Sequence, residues 1–265
     1  MALKNWFFIA DAHLSDRDAG RQKMLIDFLE LHRGEMERLV ILGDLFDFWF
    51  GFPGHINPAY RPLCDTLLSL TEDGVGLIYL EGNHDFCMGS FFTERLGGEV
   101  YTGHHSLDLD GRRVYLAHGD MINPSDVFYR VYRRLLKNRA MYAFIRRLGP
   151  ERAAKVKGVL SQRAWMHREG SFSAKPLPHE EAFVREQCGQ GTDVVILGHF
   201  HRPCELTVSH EGRHCTYYNV GDWVDHYSYL RYDEVSGFHL ERYRPGSAQS
   251  RTVAGRSEGS CLCSR

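Results

Sequence analysis

Five short apolar runs constrain this chain more than any other feature: Trp6–Ala10, Leu39–Leu42, Leu77–Leu80, Val114–Ala117 and Val194–Leu197. Each is four or five residues long and partly β-branched or aromatic, as expected of strands buried on both faces. Each breaks off into polar residues, reading Asp11-Ala-His13, Gly43-Asp44-Leu-Phe-Asp47, Gly82-Asn83-His84-Asp85, His118-Gly119-Asp120 and Gly198-His199-Phe-His201. Loops at the carboxyl ends of parallel strands open into one crevice, so these blocks are expected to meet in space. One such block alone is an ordinary turn, because Gly-Asp and Gly-Asn are common turn pairs and a single His is usually a hydrogen-bonded bystander. Five in order, each directly after a buried run, call for a functional explanation.

The spaces between the runs set the architecture. Arg21–His32 carries Met24, Leu25, Phe28 and Leu29 at helical spacing, so the opening reads strand, helix, strand, and Pro62–Leu70 supplies a second crossover helix. After the fifth run, Glu205–Ser209, His214–Asn219, Ser228–Asp233 and Gly237–Tyr243 alternate between turn residues and predict an antiparallel meander. This order predicts an α/β sandwich forming a single domain over residues 1–244. Residues 121–180 interrupt it with helical sequence at Asp126–Leu148 and Glu151–His167 around a Gly149-Pro150 break, an insertion placed to act as a cap. The tail, 245–265, is rich in Ser, Gly and Arg and is expected to be disordered.

Composition excludes several classes. Acidic residues outnumber basic ones 34 to 32, so the whole molecule shows no bias toward a polyanion such as nucleic acid. No apolar run approaches the ~18 to 20 residues of a membrane span, and the apolar start is broken by Asp11 too early for a secretory signal. Seven cysteines without Cys-x-x-Cys spacing favour reduced thiols in a cytoplasm over a disulfide framework. Neither a phosphate-cradling Gly-x4-Gly-Lys loop, nor a Gly-x-Gly-x-x-Gly turn, nor a His-Glu-x-x-His helix is present.

Asp11, His13, Asp44, Asn83, His118, His199 and His201 together offer two carboxylates, one amide and four imidazoles. That mixed nitrogen and oxygen set suits Mn, Fe, Zn or Co better than Ca or Mg alone. Two divalent ions ~3.5–4 Å apart can clamp a phosphoryl oxygen and activate water, so the reaction class is phosphoester or phosphoanhydride hydrolysis.

The five blocks, in this order from Asp11 to about Trp223, resemble the calcineurin-like metallophosphoesterase superfamily. The resemblance implies a four-layer αββα sandwich with a helical cap and two divalent ions, Mn being the first choice. It also implies that Asp11, His13, Asp44 and His201 hold one ion, and Asp44, Asn83, His118 and His199 the other. His84 would face the scissile group as acid or phosphate-oxygen donor, with Asp85 orienting its ring. Asp47 would buttress the loop.

Between Arg130 and Arg168 stand twelve Lys or Arg residues and one acid, Glu151, a local charge of about +11, interleaved with Tyr132, Leu135, Leu136, Tyr142, Phe144, Ile145 and Leu148. Basic and apolar residues together suit an anionic lipid or membrane surface, and the apolar share argues against nucleic acid. The insertion is similar to that of the UDP-2,3-diacylglucosamine hydrolases of lipid A biosynthesis, with Asp126, Tyr129 and Arg133 at the spacing of their head-group contacts. That likeness implies a lipid-linked sugar nucleotide substrate, further contacts from Asn83, Arg163 and Lys175, and work at the cytoplasmic face of the inner membrane as a peripheral enzyme. His84 stands where well-known members of that family carry Arg. A general phosphoesterase acting on other phosphodiesters or phosphomonoesters therefore stays open as the alternative.

Overall fold

The computed structural model describes residues 5–153, 176–246 and 251–252. In chain order the elements begin β1 (Asn5–Ile9), α1 (Ala19–His32), β2 (Met36–Ile41), β3 (Trp49–Phe50), α2 (Arg61–Glu72), β4 (Gly76–Leu80), β5 (Asp85–Phe86), β6 (Glu99–Tyr101), β7 (His104–Leu109) and β8 (Arg112–Ala117). They continue with α3 (Val127–Leu136), α4 (Arg139–Leu148), α5 (Pro178–Gly189), β9 (Val194–Leu197), β10 (Cys204–His210), β11 (Arg213–Asn219), β12 (Ser228–Asp233), β13 (Gly237–Arg242) and β14 (Arg251–Thr252).

One sheet has the order β14-β13-β12-β1-β2-β4-β6, a second β10-β11-β9-β8-β7, and β3 pairs with β5 in a two-stranded ribbon. The alternation of side chains along buried strands shows how the sheets stack. Phe7 and Ile9 of β1 join a core with Leu25, Phe28 and Leu29 of α1 and Leu63 and Leu67 of α2. Phe8 and Ala10 face the other way, into a core shared with Val114, Leu116, Val194 and Ile196 of the second sheet. Val195 and Leu197 then point outward to Val184 and Cys188 of α5. Three apolar layers between helix, sheet, sheet and helix make the four-layer αββα sandwich. Each fully buried Phe here contributes ~1.5–3 kcal/mol by leaving water.

The five apolar runs are all strands, three in one sheet (β1, β2, β4, mutually parallel) and two in the other (β8, β9, also parallel). The expected meander is corrected. β10 and β11 form a hairpin in the second sheet, β11 running parallel to β9, whereas β12 and β13 cross over to the first sheet, where β12 lies antiparallel to β1. Within 245–265, Arg251 and Thr252 pair with β13; residues 247–250 and 253–265, on which the expectation of disorder mainly falls, lie outside the described residues.

Between β8 and β9 the expected helical stretch divides at Lys137-Asn138, where the Asn138 side chain accepts from Met141 N and caps α4. Gly149, at φ 80°, ends α4, and residues 150–153 begin a further turn. The remainder of the expected Glu151–His167 helix, together with Arg163 and Lys175, falls outside the described residues. No helix among the described residues is long and apolar enough to cross a membrane. The five cysteines described are all free thiols.

Candidate metal centre

The carboxyl ends of β1, β2, β4, β8 and β9 deliver the polar blocks to one crevice. Asp11, His13, Asp44, His199 and His201 all have left-handed backbone, with φ between 44° and 68°. Such a conformation costs an L-residue ~1–2 kcal/mol and reverses the chain sharply enough to aim its side chain back across the strand ends. Hydrogen bonds between loops hold the reversals: Asp11 N to Gly43 O at 3.1 Å, His13 N to Asp44 O at 2.9 Å, and His199 N to Asp11 Oδ2 at 2.6 Å.

At one end of the crevice, His13 Nε2 and His201 Nε2 are 3.2 Å apart, and each lies 3.6 Å from Asp11 Oδ1. Asp44 Oδ2 stands between this group and the next, 3.8 Å from His13 Nε2 and 3.5 Å from His118 Nε2. His118 Nε2 is 3.1 Å from Asn83 Oδ1, and the His199 ring packs against that of His118 with centroids 5.0 Å apart.

The donor chemistry fits cations here. Asp11 Oδ1, Asp44 Oδ2 and His199 Nδ1 are buried and have no hydrogen-bond partner, a costly state unless a cation takes their lone pairs. His118 Nδ1 lies 2.7 Å from Leu42 O, which can only accept, so this nitrogen carries a proton, and Nε2, facing two acceptor oxygens, is the atom that would serve a cation. Two nitrogen ligands each ~2.0–2.1 Å from one ion stand about as far apart as the His13 and His201 Nε2 atoms.

The protonation equilibria follow the same arrangement. Burial opposes charge on Asp44, yet the imidazoles of His118, His84 and His13 hold its carboxyl well below the usual range. Asp11 is lowered likewise: burial raises it, but His201, His13 and His118 together outweigh that. Burial, reinforced by the His118 charge, pulls His199 down to about 4, leaving it a neutral ligand at pH 7. His118 is raised, because Asp44 and Asp11 outweigh its burial.

The expected role of Asp85 is corrected. Its fully buried carboxylate accepts from Asp44 N and Gly82 N, both at 3.0 Å, from Leu45 N at 2.7 Å and from the Tyr79 hydroxyl. It is the peg on which the Gly43–Asp47 and Gly82–Asp85 loops hang, and burial followed by the Asp44 charge pushes it up to about 6. Asp47 instead faces the His84 ring: its carbonyl is 3.1 Å and its Oδ1 3.5 Å from His84 Nδ1, while His84 Nε2 is 4.0 Å from Asp44 Oδ2.

Asp126 caps α3, its side chain accepting from Tyr129 N at 2.9 Å. Tyr129, Arg133 and Lys137 recur every fourth residue and turn one helical face toward the crevice. The Tyr129 hydroxyl donates to Asp120 Oδ2 at 2.7 Å and Arg133 Nε lies 2.5 Å from the same oxygen. Lys137 Nζ donates to Glu81 Oε2 at 3.2 Å and to Gly82 O at 3.0 Å. Arg133 and His118 also line a cavity of about 130 Å³ beside the crevice.

Glu81, Lys137 and the Asp120 contacts escape a reading of strand ends as ligands alone. Asp222 escapes it too, although Gly221-Asp222 follows β11 much as Gly43-Asp44 follows β2.

Gly82 has a steric reason to be glycine, since a Cβ there would stand 2.1 Å from Asp44 Oδ1 and 2.6 Å from Asp44 N. Gly82→Ala is therefore expected to displace the carboxylate, costing ~1–3 kcal/mol in urea unfolding and weakening metal binding in a titration. Unchanged metal affinity would count against the crowding argument.

Residues 7–203 match the sequence profile of the calcineurin-like phosphoesterases. The chain belongs to that family. As a calcineurin-like phosphoesterase it is a metal-dependent hydrolase. Among its curated relatives, a UDP-2,3-diacylglucosamine hydrolase of Aromatoleum aromaticum is 31% identical over 85% of this chain and 92% of its own length. Another of that name, from Xanthomonas campestris pv. campestris, is 31% identical over 89% of this phosphoesterase and 97% of its own length. A dimetal phosphatase from Danio rerio shares 15% identity at a TM-score of 0.49, covering 98% of each chain.

Proposed function

We propose that this phosphoesterase cleaves the pyrophosphate of UDP-2,3-diacylglucosamine with water, releasing UMP and 2,3-diacylglucosamine 1-phosphate. The names of the curated relatives, matched over most of their length, motivate the reading. The observation that carries it is α3. Its inner face fastens to the crevice through Tyr129, Arg133 and Lys137, while Val127, Phe128, Val131 and Leu135 stand 53–83% exposed on the outer side, beside the exposed Arg130 and Arg134. A cap so built offers apolar surface to acyl chains and positive charge to phosphates within reach of the same centre.

Asp11, His13, Asp44 and His201 hold one divalent ion, and Asp44, Asn83, His118 and His199 the second, with Mn²⁺ the preferred metal for this donor set. Bound ions supply positive charge for the phosphoryl oxygens and lower the pKa of water. Asp47 fixes the His84 ring so that Nε2 points toward the crevice and donates to a phosphoryl oxygen or to the leaving group. Arg133 and Tyr129 exchange Asp120 for the substrate's head group, while Asp126 keeps its capping role. Arg130, Arg134 and the apolar face rest on the anionic inner leaflet, making the enzyme peripheral on the cytoplasmic side. His84 favours a second reading, a phosphodiesterase of broad range, in which an acid assists an alkoxide leaving group.

UMP release with Mn²⁺ decides between them. The acylated substrate is expected to exceed its deacylated counterpart in kcat/KM by ~100-fold, the worth of burying a few methylenes, and a chelator is expected to abolish both. An enzyme that releases no UMP yet cleaves an aryl phosphodiester well would overturn the lipid reading.

A further inference from the structure

The turn after β11 braces the metal centre from behind. Asn219 Nδ2 donates to Gly198 O at 2.9 Å and Trp223 N donates to Asp11 O at 3.2 Å, so one segment grips two of the polar loops. Between them lies Asp222, 1% exposed. Its Oδ1 accepts from the backbone N–H groups of Val224, Asp225 and His226 at 2.7–3.0 Å, which locks the carboxylate plane. Its Oδ2 is 2.9 Å from His226 Nδ1 and 3.4 Å from His201 Nδ1. The register is steric as well. Gly221 has φ 84°, and a Cβ there would meet Ser228 Oγ at 2.2 Å, the same hydroxyl that donates to Val220 O at 2.7 Å.

We infer that Asp222 is a positioning residue for the metal centre, fixing the tautomer and ring plane of His201 so that Nε2 presents its lone pair beside His13 Nε2 and Asp11 Oδ1. A carboxylate can only accept, so His201 must offer it Nδ1–H, and the ring then has its lone pair on the crevice side. The His201 and His13 rings stack with planes 11° apart, the orientation this hold preserves. The inference rests on the metal-binding part of the proposed reading and is independent of the substrate.

Asp222→Asn tests it with little change of shape. The amide keeps an oxygen for the three backbone donors but places NH₂ against His201 Nδ1, which must then accept, moving the ring proton to Nε2 where a metal has to bind. In the metal-free full-length chain, ¹⁵N NMR is expected to show His201 as the Nδ1–H tautomer in wild type and Nε2–H in the variant. Competition with a fluorescent chelator is expected to show Mn²⁺ held ~10–100-fold more weakly at one of the two sites, whatever the substrate proves to be. His226→Gln, which leaves the His201 contact alone, is expected to bind Mn²⁺ as wild type does. An Nε2–H tautomer at His201 in wild type overturns the inference without recourse to any variant, as does wild-type Mn²⁺ affinity in folded Asp222→Asn.

Discussion

Asp44→Asn is expected to lower phosphoester hydrolysis by about 1000-fold or more, with only a modest loss of stability in the metal-free fold. The carboxylate contributes charge that the neighbouring imidazoles favour in the fold and that bound cations would need more. Oδ1 accepts from His84 N at 2.8 Å, a bond the Asn oxygen keeps, whereas Oδ2 has no hydrogen-bond partner and faces His118, His13 and His84 at 3.5–4.0 Å. An amide there would remove negative charge that bound cations would need, and ~4 kcal/mol of lost transition-state stabilisation is a factor of about 1000. The surrounding imidazoles outweigh burial and hold the carboxyl below its usual range, so the fold favours the charged form, and the metal-free melting temperature at pH 7 is expected to fall in the variant. Turnover in a metal-saturated assay and a melt in chelator measure the two halves. A variant that retains more than a tenth of wild-type activity would remove Asp44 from the centre.

Asp85→Ala is expected to do the reverse, acting through the fold. Its carboxylate accepts from four buried backbone N–H groups and the Tyr79 hydroxyl. Removing it strands those donors at ~1–3 kcal/mol each, about 4 kcal/mol or more in sum, a large share of the ~5–15 kcal/mol that keeps a domain folded. Urea unfolding followed by tryptophan fluorescence is expected to show that loss, and Asp85→Asn, which keeps one oxygen, a smaller one. If Asp85→Ala unfolds within 1 kcal/mol of wild type yet is inactive, Asp85 belongs to the chemistry after all.

The contrast between Asp44 and Asp85 shows where the sequence is legible. Buried strands announce themselves by apolar runs, and residues placed at their carboxyl ends are drawn together by topology, so the crevice could be read from Asp11 to His201 before any coordinates. Which partner each side chain takes could not. Asp85 follows His84 directly, but His84 lies in the bend before β5, and Asp85, the first residue of that strand, turns into the core as Asp47 comes round to the imidazole. β7 carries no apolar run to announce it, because its sequence, His-His-Ser-Leu-Asp-Leu, is that of an edge strand with mostly polar residues. The two late hairpins were visible as hairpins, but a local turn signal carries no information about which sheet receives it. Asn138 was legible in principle as a helix cap and divides the cap helices where a continuous amphipathic pattern suggested one.

The central position of β1 has a consequence for how the protein is made. Its partner on one edge, β2, follows within a few tens of residues, but on the other edge it awaits β12, and Arg231 is 226 residues beyond Asn5, which it contacts. At ~5–20 residues per second of synthesis, that interval lasts roughly 10 to 45 s. Throughout it the nascent chain carries Trp6, Phe7, Phe8 and Ile9 on a strand edge with no final neighbour, the kind of edge that templates aggregation. Substitutions at the far end of the β12–β13 hairpin, around Asp233–Gly237, would therefore show first in the yield of folded protein recovered from cells, before any change in turnover per molecule.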